Sequence, residues 1–97
     1  MTPYRVRYTP AAAESIRHLH PAIKQAIREG IRTLSAEPLR GHALVLELAG
    51  FRSLRVSRYR VVYRLREEDR TVEVHLVGPR KDIYEVFREL LEQGPRG

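Results

Sequence analysis

Apolar and polar residues alternate in short runs along the chain, and the period of the alternation changes from one run to the next. Tyr4-Arg5-Val6-Arg7-Tyr8 has period two and predicts a half-buried strand with Tyr4, Val6 and Tyr8 inward. Thr9-Pro10 opens a helix, with Thr9 as N-cap and Pro10 at the first helical position. Ala12, Ala13, Ile16 and Leu19 form its apolar stripe. Pro21 breaks that helix and starts a second, which the spacing predicts to about Leu34. Its buried stripe is Ile23, Ala26 or Ile27, Ile31 and Leu34. Gly30 costs roughly 1 kcal/mol relative to alanine inside a helix, which suggests that it permits close packing against the first helix. Leu39 to Ala43 reads as a loop, and Leu44 to Leu48 as a short strand interrupted by Glu47.

The longest alternating stretch is Leu54 to Leu65. With Ser57 and Arg58 as a two-residue turn, Val56 pairs with Tyr59, Leu54 with Val61, and Arg55 with Arg60. Leu54, Val56, Tyr59, Val61, Tyr63 and Leu65 then share one face, with Arg55 and Arg60 on the other. Glu67-Glu68-Asp69-Arg70 is a polar turn. In Thr71 to Val77, Val72, Val74 and Leu76 are expected on one face, and Glu73, His75 and Val77 on the other. Gly78-Pro79 is expected to end this strand. A helix from about Asp82 to Leu91 follows, with Ile83, Val86, Phe87, Leu90 and Leu91 as its stripe. The segment after it, Gly94-Pro95-Arg96-Gly97, reads as a frayed tail, with disorder expected over residues 93–97. The order strand, helix, helix, four strands, helix predicts one α+β domain over residues 1–97 with a mainly antiparallel sheet.

Composition changes this picture in two ways. Lysine plus arginine outnumber aspartate plus glutamate by 18 to 12, a balance that favours a polyanion or an acidic protein as partner. The positives are nearly all arginine, which suits bidentate phosphate contacts; Lys24 and Lys81 are the exceptions. The chain has no cysteine, which excludes disulfides, Cys-ligated zinc and thiol nucleophiles. His18, His20, His42 and His75 lack clustered metal-ligand spacing, so neither a metal nor another cofactor is expected. The apolar runs fall short of a membrane span, and a cytoplasmic location is expected, with no membrane partner.

The candidate chemistry lies on the polar face of the hairpin. Like charges directly across a strand pair destabilise it, so Arg55 opposite Arg60 implies an anion between them. Arg80 follows the Thr71–Val77 strand, and Tyr84 lies one helical turn beyond it. Arg55, Arg60, Arg80 and Tyr84 could therefore surround one pocket. Lys24, Arg28 and Arg32 fall at i, i+4 and i+8 on one helix face, either as a solvated ridge or as a second contact surface for nucleic acid. Tyr63 reads as core.

The segments Phe51-Arg52-Ser53-Leu54-Arg55-Val56-Ser57-Arg58-Tyr59-Arg60-Val61-Val62-Tyr63 and Val77-Gly78-Pro79-Arg80-Lys81-Asp82-Ile83-Tyr84 resemble the RelE/ParE superfamily of bacterial and archaeal toxins. Tyr8-Thr9-Pro10-Ala11-Ala12 and the segment from Ile31 to Pro38 fit the same pattern. The resemblance runs from about Tyr4 to Leu91. It implies a RelE-like fold and the toxin of a type II toxin–antitoxin pair, with an acidic, RelB-like antitoxin as partner and operator DNA contacted only through the antitoxin complex. RelE-like members cut messenger RNA in the ribosomal A site, whereas ParE-like members inhibit DNA gyrase. In the RelE pattern, Arg60, Arg80 and Tyr84 match catalytic positions, and Arg55 matches a phosphate-binding position. Arg52 and Lys81 are further candidates for RNA contact, as are Lys24, Arg28 and Arg32. His75, on the face of Arg55 and Arg60, is a candidate for proton transfer, since some relatives use a histidine. Ser53 departs from the pattern, standing where RelE-like toxins often carry lysine or arginine; Arg52 could replace that charge only with a shifted register. Ser57 stands in place of the usual turn glycine.

Overall fold

The computed structural model describes residues 3–79 and 82–93. Strand β1 (Arg5–Tyr8) leads into helices α1 (Pro10–Arg17) and α2 (Pro21–Ala36). The short strand β2 (His42–Ala43) and a 3-10 turn at Leu46–Leu48 follow, then strands β3 (Arg52–Val56), β4 (Tyr59–Arg66) and β5 (Thr71–Pro79), and helix α3 (Ile83–Gln93). The strands form one sheet in the order β1-β5-β4-β3-β2. Only the β1–β5 pair is parallel; β2–β3, β3–β4 and β4–β5 are antiparallel.

The local signals act as the residue types dictate. The Thr9 hydroxyl accepts from Ala12 N at 3.1 Å and donates to His75 O at 3.1 Å, so one side chain caps α1 and fastens it to β5. The hairpin register is Val56↔Tyr59, Arg55↔Arg60 and Leu54↔Val61, as the alternation predicts. Ser57 takes φ 55°, a left-handed conformation that glycine adopts without cost.

The sheet is covered on both faces. One core joins Ala12, Ile16, Ile27, Ile31 and Leu34 of α1 and α2 to Leu54, Val61, Tyr63, Val72, Val74 and Val77 of the sheet. A second joins Ile83 and Phe87 of α3 to Leu48, Val62 and Leu76. Unbroken apolar runs such as Val61-Val62-Tyr63 serve both faces at once.

Four expectations need correction. The strand expected at Leu44–Leu48 is a 3-10 turn preceded by β2, because Leu46 takes φ 57° and leaves extended geometry. Leu76 and Val77 have exchanged faces: Val62 pairs with Leu76 but Tyr63 with Val74, so His75 is an extra residue in a bulge that resets the alternation. The strand continues through Gly78 and Pro79, paired with Arg60 and Tyr59; β1 pairs with β5 only as far as Val74, so the missing Pro79 N–H faces no neighbouring strand on that side. A Cβ on Gly30 would meet Val56 Cγ2 at 2.7 Å, so the close approach is to β3 and not to α1. In addition, Val86 and Leu91 of the α3 stripe remain 43% and 40% exposed; Ile83 and Phe87 carry the docking of this helix. The expected tail at residues 94–97 lies outside the described residues. Among the described residues no helix is long and apolar enough to cross a membrane.

Candidate functional site

The α3-side face of β3 and β4 gathers Ser53, Arg55, Arg60 and Tyr84. Arg55 and Arg60 are direct cross-strand partners, and Ser53 pairs with Val62 one same-face step away, about 7 Å along the strand. Arg55 is exposed, and among the described residues its Nε reaches only the Ser57 carbonyl, at 3.4 Å. Arg60 is half-buried, and its Nε is buried without a hydrogen-bond partner among the described residues. A guanidinium held this way retains its charge-assisted donors for an incoming anion. Gly78, paired with Arg60, lets Ile83 of α3 approach: a Cβ there would meet Ile83 Cδ1 at 2.8 Å. That approach seats the first turn of α3 against β5, next to the strand that carries Arg60. Tyr84 extends from this turn to Ser53, with the two hydroxyl oxygens 2.9 Å apart. Ser53 is fully buried. Sequence reasoning noted Ser53 only as a departure from a family pattern; its place on the Arg55 face, two residues along the same strand, is the signal that marks it as a site residue. Arg80 and Lys81 lie outside the described residues.

Arg52 does not join this group. It lies on the opposite face of β3, paired with Tyr63. Its Nη2 donates to Gly41 O at 2.6 Å and Leu39 O at 3.2 Å, so its guanidinium holds a loop. With the observed register it cannot supply the charge absent at Ser53. Lys24, Arg28 and Arg32 lie along α2 and line an open groove of about 500 Å³ with Pro21, Gln25 and Glu29. Lys24 Nζ donates to Arg17 O at 3.2 Å. This ridge lies on the α2 side of the sheet, away from the arginine pair.

His75 shares the α3 side but sits in the bulge, three residues along β5 from Gly78. Its ring packs edge-on against Phe51 and Phe87, with centroids 5.0 and 5.9 Å away. Its Nε2 lies 2.7 Å from Glu73 Oε1, which Arg64 Nη2 also approaches at 3.1 Å; Arg66 Nε lies 3.4 Å from Oε2. Burial pushes the His75 imidazole below its ordinary value, against the pull of Glu73. Burial alone would raise the Glu73 carboxyl, but the hydrogen bonds and charges of His75 and Arg64 outweigh it and hold the group low. The Glu73 carboxylate accepts a hydrogen bond from the His75 ring at 2.7 Å. These contacts make His75 part of the seat of Phe87 and do not bring it to Arg60.

The pH consequence has one sign. Both groups bind protons more readily in the unfolded chain, so their contribution to stability is present above the unfolded pKa and is lost on acidification. The melting temperature is expected to fall as pH drops from about 6.5 through the lowered His75 value, and again below about 4.5 as Glu73 protonates. Thermal unfolding between about pH 2.5 and 7.5 reads both limbs. His75→Gln should flatten the upper one, and an unchanged slope would remove His75 as its cause.

Comparison with known proteins places this geometry in a family. The family model described as ParE toxin of type II toxin-antitoxin system, parDE, matches residues 6–84. Toxin RelG of Mycobacterium tuberculosis is 44% identical over 84 residues, covering 84% of this chain and 97% of that protein. The fold matches the RelBE2 toxin–antitoxin complex of M. tuberculosis with TM-score 0.76 and 41% identity, over 80% of this chain and 99% of that one. It also matches a mutant of E. coli RelE in the free state, with TM-score 0.75 over 96% of this chain and 99% of that one; at 21% identity this likeness concerns the fold alone. The chain belongs to the RelE/ParE superfamily of type II toxin–antitoxin toxins.

Proposed function

We propose that this toxin is a metal-independent endoribonuclease of the RelE type that cuts messenger RNA on the ribosome. The observation that carries the reading is Arg60, half-buried with an Nε that has no hydrogen-bond partner among the described residues, facing Arg55 across the strand pair and sharing its sheet face with the Tyr84 phenol. In-line attack of a ribose 2′-hydroxyl on the adjacent phosphorus breaks the P–O5′ bond and leaves a 2′,3′-cyclic phosphate and a 5′-hydroxyl. The reaction needs a base for the 2′-OH, charge stabilisation at the phosphoryl oxygens, and a proton for the leaving oxygen. Arg60 takes the second task as transition-state clamp, and Arg55 grips the phosphate in the ground state. Tyr84 acts as base, or as the group that stacks on and orients the nucleotide. Arg80, by its match to the RelE pattern, is a second clamp or the proton donor. The ridge Lys24, Arg28 and Arg32 would contact ribosomal RNA, a salt-sensitive contribution.

The partner that restrains the toxin is an acidic antitoxin. The M. tuberculosis relative was solved as a toxin–antitoxin complex, and this chain carries a net charge of +6. The second reading is a ParE-like inhibitor of DNA gyrase; the ParE family model and the serine at position 53 favour it. A member that only binds its antitoxin is the remaining alternative.

Inducible expression followed by mapping of messenger RNA 5′ ends separates the three. Wild type is expected to give cuts in translated messages, and an Arg80→Ala/Tyr84→Ala double mutant to lose them. Growth arrest with intact messages would establish the gyrase reading, and no arrest the antitoxin-only one.

A further inference from the structure

We propose that Ser53 is the positioning residue for Tyr84, a tether between β3 and α3 that fixes the phenol beside the arginine pair. The proposal rests on the nuclease reading for its catalytic consequence, but the tether itself is a matter of geometry. Ser53 is 0% exposed, and a buried hydroxyl requires a hydrogen-bond partner. Among the described residues its side chain has one, the Tyr84 phenol at 2.9 Å. The serine cannot swing out to seek another, because β3 is paired on both sides at this position, with His42 and with Val62. Tyr84, by contrast, is only half-buried. The helix that carries it is held by Ile83 against Gly78 and by Phe87 against Phe51 and His75. The Tyr84 ring packs against the core of Leu48, Val62, Leu76, Ile83 and Phe87, which fixes the ring and leaves the place of the hydroxyl to be set by a polar contact. The hydrogen bond to Ser53 supplies that contact, with either hydroxyl as donor, and when Ser53 donates, the phenol oxygen keeps a lone pair for a substrate hydroxyl.

A basic side chain at position 53 would add charge to the pocket. A serine adds none, but it is short, and its Oγ can accept from the phenol or donate to it. The sheet face thus divides its tasks: Arg55 and Arg60 supply charge, and Ser53 supplies placement.

The test is a double-mutant cycle on the intact toxin. Cleavage of ribosome-bound message would be followed at varied substrate for wild type, Ser53→Ala, Tyr84→Phe and the double variant, with Ser53→Thr as the conservative replacement. Ser53→Ala is expected to lower kcat about ten- to a hundredfold, the range for a misplaced catalytic group, with KM within about twofold, since a positioning defect acts on the chemical step. The double variant should be no slower than Tyr84→Phe alone, because each change removes the same bond. Ser53→Thr should recover most of the rate. Multiplicative losses in the double variant, or a loss confined to KM, would overturn the proposal.

Ring signals of Tyr84 in the NMR spectrum give a second readout that needs no activity. Ser53→Ala should speed ring averaging and amide exchange in the first turn of α3 while the rest of the sheet keeps its protection. An unchanged Tyr84 ring overturns the tether. If the ring responds but the wild type cuts no message, the tether stands as structure, while the nuclease reading fails and takes the catalytic role of Ser53 with it.

Discussion

Replacing Arg60 with alanine is expected to lower message cleavage by about 10²–10³-fold, the effect of removing one preorganised donor from a developing oxyanion, while the melting temperature holds or rises. The two effects have one origin. Arg60 stands directly opposite Arg55, and like charges so placed repel. Its Nε is buried without a partner among the described residues, and an unsatisfied buried donor costs about 1–3 kcal/mol. Alanine removes the repulsion and the orphaned donor together, against a modest loss of packing by the aliphatic stem. A domain that keeps such a residue gives up stability for function. Arg60→Lys separates charge from geometry: it keeps the positive charge but not the planar fork that grips two phosphoryl oxygens, and it should restore only part of the rate. Arg28→Ala, on the α2 ridge, should cost a few-fold at most and chiefly at low salt, where such a contact is least screened. Mapping of 5′ ends and thermal melts on the same three variants give both numbers. Cleavage within threefold of wild type for Arg60→Ala would reduce Arg60 to an ordinary half-buried arginine. A melting temperature lowered by more than a few degrees would show that its buried nitrogen has a structural role.

Most of the fold and half of the site were legible before the structure. The hairpin register follows from alternation, because a slip of one residue would turn Val61 and Tyr63 out of the core. The capped start of α1 follows from Thr9 and Pro10. The faces of Leu76 and Val77 were not legible, since a bulge leaves no mark in composition, and period two misassigns every residue beyond it. His75 illustrates the cost: it was placed on the correct face, yet the bulge and the Glu73 network give it structural partners that alternation cannot reveal. Arg52 could replace the charge missing at its neighbour Ser53 only with a shifted register. In a strand, neighbours face opposite ways, and its partners are carbonyls of a loop that no local pattern brings near. Ser53 was passed over because a lone serine in a strand carries no signal of its own; only the register puts it beside Tyr84.

The largest structural effect is expected at Gly41, which follows the proline-bounded turn after α2. The loop at residues 38–41 is pressed against the sheet and fastened there by four hydrogen bonds. The Tyr63 phenol donates to Pro38 O at 2.8 Å and accepts from Gly41 N at 3.0 Å, while Arg52 Nη2 donates to the carbonyls of Leu39 and Gly41. Tyr63 is fully buried, so its hydroxyl depends on this loop. A Cβ at position 41 would lie 2.6 Å from Ser53 O, 2.7 Å from the Tyr63 hydroxyl and 2.9 Å from Ser53 C. Two of those atoms are strand backbone and cannot move aside, so the loop must lift and its bonds to Tyr63 must lengthen or break. Overpacking of this kind costs about 1–3 kcal/mol, and stranding a buried hydroxyl and amide adds about 1–3 more. Gly41→Ala should therefore lower the melting temperature by roughly 8–48 °C, the product of about 2–6 kcal/mol and 4–8 °C per kcal/mol for a domain of this size. Tyr63→Phe alone should cost only the stranded groups, about 1–3 kcal/mol. The double variant identifies the obstacle. Removing the phenol oxygen relieves the contact at 2.7 Å but leaves the Ser53 carbonyl in place, so Gly41→Ala should remain strongly destabilising in the Tyr63→Phe background. Full rescue there would mean that the hydroxyl was the obstacle, and that β3 yields at Ser53, where the strand also holds Tyr84.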